Sequence, residues 1–216
     1  RNIGVSKMTA RDLDGLGARG VNVVPNGIDW QEIETIDPSK RESDIVYVGR
    51  LAAHKNIDLL LQAVSIAKSK APDLRVAIIG DGPEMKKLRS LVKEMNLEKN
   101  VEFLGFLESY SDALALMKSS RAFASPSTRE GFGMAALEAN ACGLPVVTIN
   151  HRMNAVTDLV TEETGMVCQP TAEDLAEGLI LALQKGNAML EPCQRLAKGY
   201  DWERICDRLE KIYEKG

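Results

Sequence analysis

No stretch of the 216 residues approaches the roughly 20 consecutive apolar residues that span a bilayer, so no transmembrane helix is expected, and no signal-peptide pattern is present. The cysteines are few and isolated: Cys142, Cys168, Cys193 and Cys206 include no C-x-x-C pair. That spacing argues against a zinc site and a disulfide framework, and for reduced thiols in a cytoplasmic protein. An excess of either charge is also missing. Lysine and arginine number 27 against 31 acidic residues, a net −4, so nothing steers the whole chain toward nucleic acid or an anionic membrane. Lys86, Lys87, Arg89 and Lys93 read as the solvated face of one helix. His54 and His151 read as surface loop residues. Internal repeats and low-complexity segments are absent. The chain opens Arg1-Asn2-Ile3 without an initiator methionine, and we expect it to be a segment of a longer protein.

What is present is an ordinary globular composition, 44% hydrophobic and 27% charged. Short β-branched runs at 21–24, 45–48, 74–79, 101–104, 122–124, 145–149 and 166–168 alternate with longer amphipathic stretches near 56–70, 83–95, 110–119, 134–142 and 172–185. In the first of these stretches Leu59, Leu60, Ala63, Val64 and Ala67 recur at helical spacing. The alternation predicts an α/β fold, a Rossmann-like parallel sheet with helices on both faces. Ligands then bind beyond the carboxyl ends of the strands, in the strand-to-helix loops. A strand at 3–6, a helix near 7–19 and the strand at 21–24 are expected to open this same domain, which runs over 1–200. Residues 31–44 read as a polar connection. A last helix is expected over 201–215, capped by Asp201, with Trp202, Ile205, Leu209, Ile212 and Tyr213 forming an apolar stripe.

Three loops carry candidate chemistry. Gly80-Asp81-Gly82-Pro83-Glu84-Met85 imitates a dinucleotide fingerprint, but Met85 stands where the third glycine is needed, and we read it as a tight strand-to-helix turn. Gly49-Arg50-Leu51-Ala52-Ala53-His54-Lys55 ends a buried strand and brings a guanidinium fork and an ammonium into one loop, which suits a diphosphate. The strongest signal is Glu130-Gly131-Phe132-Gly133-Met134-Ala135-Ala136-Leu137-Glu138. Its glycines bare backbone amides at a helix start, a place for phosphate or sugar oxygens. Glu138 then falls among small and apolar neighbours, where a carboxylate needs a partner such as a ribose diol. A glycosidase-like acid/base pair of Glu130 and Glu138 is the weaker reading, since that chemistry fixes a carboxyl separation the spacing does not reveal.

The order P-N-G-I-D (25–29), G-R-L-x3-K (49–55), G-D-G-P-E (80–84), V-E-F-L-G (101–105) and E-G-F-G-x4-E (130–138) resembles the C-terminal domain of family 4 glycosyltransferases, retaining enzymes of GT-B fold, over nearly the whole chain. The resemblance implies a domain that binds a nucleoside-diphosphate sugar and a full-length enzyme that moves a hexose to a sugar, lipid or glycan hydroxyl. By that resemblance Arg50 and Lys55 hold the diphosphate and Glu138 the ribose. Glu130, with the amides of Phe132 and Gly133, takes the donor sugar. Gly49 belongs to the donor-binding residues; Gly105 and Phe106 border the base, and Met134 and Ala135 meet the diphosphate. No metal and no separate cofactor are implied, because the cations and helix dipole do that work. The acceptor site belongs to an N-terminal domain outside this chain, to which the last helix is expected to cross. Any membrane-surface association would run through that domain, and the isolated segment is expected to be inactive. Asn150-His151-Arg152-Met153-Asn154-Ala155 departs from the family's Gly-Gly stretch and acidic residue, and Asp158 is a candidate for the displaced acid. Two other readings stand beside this one: a non-catalytic nucleotide-sugar-binding module, and a GT-B enzyme of epimerase type.

Overall fold

The computed structural model describes residues 2–214. The chain begins with β1 (Asn2–Gly4), α1 (Lys7–Gly15), β2 (Val21–Val23) and α2 (Trp30–Thr35). Then come β3 (Ile45–Val48), a 3₁₀ turn (Ala53–Lys55), α3 (Ile57–Ala67), β4 (Val76–Ile79), α4 (Met85–Glu94), β5 (Val101–Gly105) and α5 (Tyr110–Lys118). β6 (Ala122–Ser125), α6 (Met134–Ala141), β7 (Val146–Ile149), a second 3₁₀ turn (Ala155–Leu159), β8 (Gly165–Cys168), α7 (Ala172–Lys198) and α8 (Trp202–Glu214) complete it.

Six strands form one sheet in the order β5-β4-β3-β6-β7-β8, all parallel. Both faces are covered, so the strands read as continuous apolar runs. Ile45, Tyr47, Ile78 and Val147 pack on one face under α3, α4 and α7; Val46, Ala77, Phe123 and Val146 pack on the other under α5 and α6. The chain runs outward from β3 through β4 to β5, then returns to β6 on the other side of β3. That reversal is the topological switch point of a doubly wound sheet, and the crevice it leaves lies beyond the carboxyl ends of β3 and β6.

Four expectations change. The opening strands do not join the main sheet: among the described residues β1 and β2 pair only with each other, in parallel. Both edges of β3 are already taken by β4 and β6, so no central place is left for them. The polar connection contains α2, because Asp29 caps it by accepting from the Glu32 amide (2.8 Å) and Ile33 is fully buried. The helix expected to end at Lys185 continues to Lys198, through Gly186 and Pro192. Met189, Cys193 and Ala197 prolong its buried stripe, and that burial outweighs the hydrogen bond Pro192 cannot make. Conversely, α1 stops at Gly15 rather than near 19.

The last helix starts as expected. Asp201 accepts from the Glu203 amide (3.0 Å) and, through its other oxygen, from the Trp30 amide (3.2 Å). Backbone bonds from Ile28 to Tyr200 and from Trp202 to Ile28 fix the same junction. Within α8 only Ile205 is buried, while Trp202 and Tyr213 are 48% and 62% exposed. Lys215, the last residue of the expected helix, lies outside the described residues. Among the described residues no helix is long and apolar enough to cross a membrane.

Candidate functional site

Two cavities meet at the switch point. The larger, about 760 Å³, is walled by Gly49 and Arg50 after β3, Gly80 and Asp81 after β4, and residues 106–110 after β5. The smaller, about 340 Å³, lies between β3, β6 and the start of α6, and holds Lys55, Ser125, Glu130, Phe132, Gly133, Met134 and Ala135. Val48 and Gly49 line both, so the end of β3 is the sill between them.

The loop after β3 is tied down on each side. The Tyr47 hydroxyl donates to the Arg50 carbonyl (3.1 Å), and the Leu51 amide donates to the Asp81 carbonyl (2.9 Å). The Thr128 amide donates to the His54 carbonyl (2.9 Å), linking this loop to the one after β6. Arg50 is exposed in the wall of the larger cavity, next in sequence to Gly49, with its guanidinium in no ion pair or hydrogen bond among the described residues. Lys55 points into the smaller cavity and donates to Glu130 Oε1 at 2.5 Å, a pair whose side chains are only 17% and 19% exposed. Ser127 Oγ donates to the same oxygen (2.9 Å). Two side chains, one from the loop after β3 and one from Glu130's own loop after β6, thus converge on one carboxylate oxygen.

The segment at 150–155 is the clamp on Glu130. The Glu130 amide donates to the Met153 carbonyl (2.9 Å), and the Ala155 amide donates to the Glu130 carbonyl (3.0 Å). Asn154 is buried and locks this clamp to β7, donating to Thr148 Oγ1 and the Ile149 carbonyl, each at 2.9 Å. The segment that departs from the expected glycine pair is thus bonded both to Glu130 and to β7. Asp158, the candidate displaced acid, is exposed and lines neither cavity. His54 is exposed, while His151 is half-buried and accepts from the Met153 amide (3.3 Å).

At the start of α6, Gly133 adopts φ +100°, and a Cβ there would lie 2.4 Å from Val156 Cγ2. Only glycine fits, and the turn it makes leaves α6 without a side-chain cap where Met134 and Ala135 face the smaller cavity. Gly131 is different: nothing lies within 4 Å of its would-be Cβ.

Glu138 lies one turn further along α6, half-buried, and lines neither cavity. Its Oε1 accepts from the Tyr110 hydroxyl at 2.9 Å, and Tyr110 does line the larger cavity. Burial raises the Glu138 carboxyl above its ordinary range, an effect the Tyr110 hydrogen bond opposes. Burial, then the Glu138 charge, pushes the Tyr110 phenol upward; burial, then the Glu130 charge, does the same to Tyr47. Both phenols are therefore hydrogen-bond donors at neutral pH. Gly105 is at the end of β5 and Phe106, 75% exposed, forms the outer wall of the larger cavity.

The fold thus brings Gly49, Arg50, Lys55, Glu130, Phe132, Gly133, Met134 and Ala135 to one crevice, with Phe106 on its far wall. The sequence reading missed Tyr47, Tyr110 and Asn154. None carries a local signal: a tyrosine inside a strand, a tyrosine opening a helix and an asparagine in a loop are each ordinary until the sheet order is known. Among the described residues no three His, Cys, Asp or Glu side chains are grouped to hold a metal ion.

A family model described as glycosyl transferases group 1 matches residues 29–214. The chain is 33% identical over 202 residues to a subunit of the phosphatidylinositol N-acetylglucosaminyltransferase of Homo sapiens, covering 90% of this chain and 41% of that protein. It is 27% identical over 206 residues to the GDP-mannose-dependent alpha-(1-6)-phosphatidylinositol dimannoside mannosyltransferase of Mycobacterium tuberculosis, covering 89% and 52%. Among solved structures, Anabaena Alr3699/HepE in complex with UDP superposes with a TM-score of 0.86 at 22% identity, over 99% of this chain and 63% of that one. The chain thus spans about half the length of the curated relatives it matches.

Proposed function

This chain belongs to the glycosyl transferases group 1 family, and on that premise we propose that it is the donor-binding half of a retaining hexosyltransferase. The observation that carries the reading is the Lys55–Glu130 pair in the smaller cavity and, in the larger one, an Arg50 with no ion pair among the described residues, at the switch point where the two cavities meet. The larger cavity takes the nucleoside, with Phe106 against the base. The sill at Gly49 and Arg50 takes the diphosphate, and the smaller cavity takes the sugar. In the transfer step the bond from the anomeric carbon to the diphosphate breaks, its electron pair leaving on the phosphate oxygen. A bond to the acceptor oxygen forms on the same face, and the acceptor proton passes to that departing phosphate. Arg50, Lys55 and the uncapped start of α6 stabilise the charge that grows on the leaving group.

The acceptor is a sugar, lipid or glycan hydroxyl, and the relatives' names make phosphatidylinositol-based glycolipids the first to assay. Its site, and any contact with a membrane surface, belongs to a domain outside this chain. The spacing of the cysteines favours a cytoplasmic setting. Alone, the chain is expected to bind donor without transferring sugar.

Calorimetric titration with UDP, GDP and ADP tests the reading and identifies the base. Arg50→Ala should weaken nucleoside diphosphate binding about ten- to a hundredfold while leaving the nucleoside unchanged, the loss for a charge-assisted contact. Equal loss for both would remove Arg50 from the diphosphate. The exposed Trp202 and Tyr213 of α8 make a second expectation. Supplying the rest of the full-length protein should slow amide exchange across this helix; exchange that stays the same would end the proposed crossing.

A further inference from the structure

Two of the polar side chains that line the smaller cavity are more than nine-tenths buried, Tyr47 at 2% and Ser125 at 5% exposure. The Tyr47 hydroxyl is spent on the Arg50 carbonyl (3.1 Å). Neighbouring hydroxyls are spent as well: Ser127 Oγ donates to Glu130 Oε1 (2.9 Å), and Thr148 Oγ1 donates to the Ser125 carbonyl (2.7 Å). Ser125 Oγ makes no hydrogen bond among the described residues. We infer that Ser125 is a specificity-determining residue whose hydroxyl, at the end of β6, hydrogen-bonds a hydroxyl of the transferred sugar. This rests on the donor-binding reading and adds to it a group that reads the sugar itself.

A serine hydroxyl has one donor and two acceptor lone pairs, and it rotates to suit its partner. Buried without one it is a cost to the fold, so an unpaired serine in a cavity wall marks a place where something outside the protein supplies the bond. A sugar hydroxyl, itself donor and acceptor, matches it in either sense. The residue is also held firmly. Ser125 pairs with Thr148 in the β6–β7 register, and Asn154 Nδ2 donates to Thr148 Oγ1 (2.9 Å). The segment carrying Asn154 is the one that clamps Glu130, from the Glu130 amide to the Met153 carbonyl and from the Ala155 amide to the Glu130 carbonyl. One network thus fixes the backbone at both Ser125 and Glu130, and both residues line the same cavity. Groups held in this way discriminate, because a sugar that fails to meet them leaves them unpaired.

The test titrates this chain and its Ser125→Ala variant with UDP-glucose, UDP-galactose, UDP-N-acetylglucosamine and GDP-mannose, each beside bare UDP or GDP. For the sugar nucleotide the parent binds best, the variant should lose roughly three- to tenfold in affinity, the effect of one neutral hydrogen bond, with the bare diphosphate unchanged. Without ligand, the variant should melt with the parent or above it, since the hydroxyl removed had no protein partner. A lower melting temperature would give that hydroxyl a structural role and overturn the inference. Equal loss for sugar nucleotide and bare diphosphate would overturn it too, as would no loss for either. If the parent binds none of the ligands, the donor-binding reading itself fails. A parent that binds UDP or GDP but no sugar nucleotide keeps the diphosphate assignment and ends that of Ser125.

Discussion

Lys55→Met is expected to lower the transfer rate of the full-length protein by about a hundred- to a thousandfold, the loss seen when one preorganised donor is taken from a developing negative charge. Its ammonium sits in the smaller cavity, 2.5 Å from Glu130 and adjacent to the uncapped start of α6. Methionine keeps the length of the stem but strands the Glu130 carboxylate with Ser127 as its remaining side-chain partner. The uncompensated negative charge would then face a leaving group whose own charge is growing. Truncating one partner of a fully buried pair costs roughly 3–5 kcal/mol of stability; the residual exposure of 17% and 19% puts this pair below that range. Adding Glu130→Gln separates the two effects. The double variant should regain stability by removing the stranded charge, yet stay slow. A single-turnover rate within about tenfold of the parent for Lys55→Met would exclude the lysine from leaving-group stabilisation.

Much of this was legible in the chain. The parallel sheet followed from alternating short β-branched and longer amphipathic runs, and the loops holding Arg50, Lys55 and Glu130 fell after strands. Strand order was not legible, because it depends on which loops cross over, and the switch point that joins the loop of 49–55 to the loop of 126–133 exists only through that order. The end of α7 was illegible for a related reason. Gly186 and Pro192 are local stop signals, while the burial of Met189, Cys193 and Ala197 that overrides them is a tertiary fact. The separate pairing of β1 with β2 was hidden too, since a strand's composition does not name its neighbour. Glu138 stood out in the sequence as a carboxylate needing a partner. The partner the fold supplies, Tyr110, is 28 residues away.

Glycines show the same limit most sharply, and they carry the second large prediction. Gly80 and Gly82 imitate a cofactor fingerprint, whereas their environment is another loop of the same protein. A Cβ on Gly80 would lie 2.0 Å from the Gly49 carbonyl oxygen, and one on Gly82 would lie 2.3 Å from that of Leu51. Gly80 also holds φ +125°, which side chains rarely adopt. Its neighbours are backbone atoms fixed by the Gly49-to-Ile79 (3.0 Å) and Gly80-to-Gly105 (2.7 Å) hydrogen bonds, so no side chain can turn aside to make room. Gly80→Ala is therefore expected to combine backbone strain with overpacking, roughly 1–3 kcal/mol each. For a chain of this size the sum corresponds to a fall in Tm of about 5–20 °C. Any shift that relieves the clash must move Gly49, the sill carrying Arg50, so nucleoside diphosphate affinity should fall with it, even at temperatures where the variant stays folded. Gly131→Ala is the control: with no positive φ and open space around its Cβ, it should melt with the parent. A Gly80→Ala variant that also melts with the parent would show that the two loops are not locked together, and the rigid sill would have to be abandoned as the feature that positions Arg50.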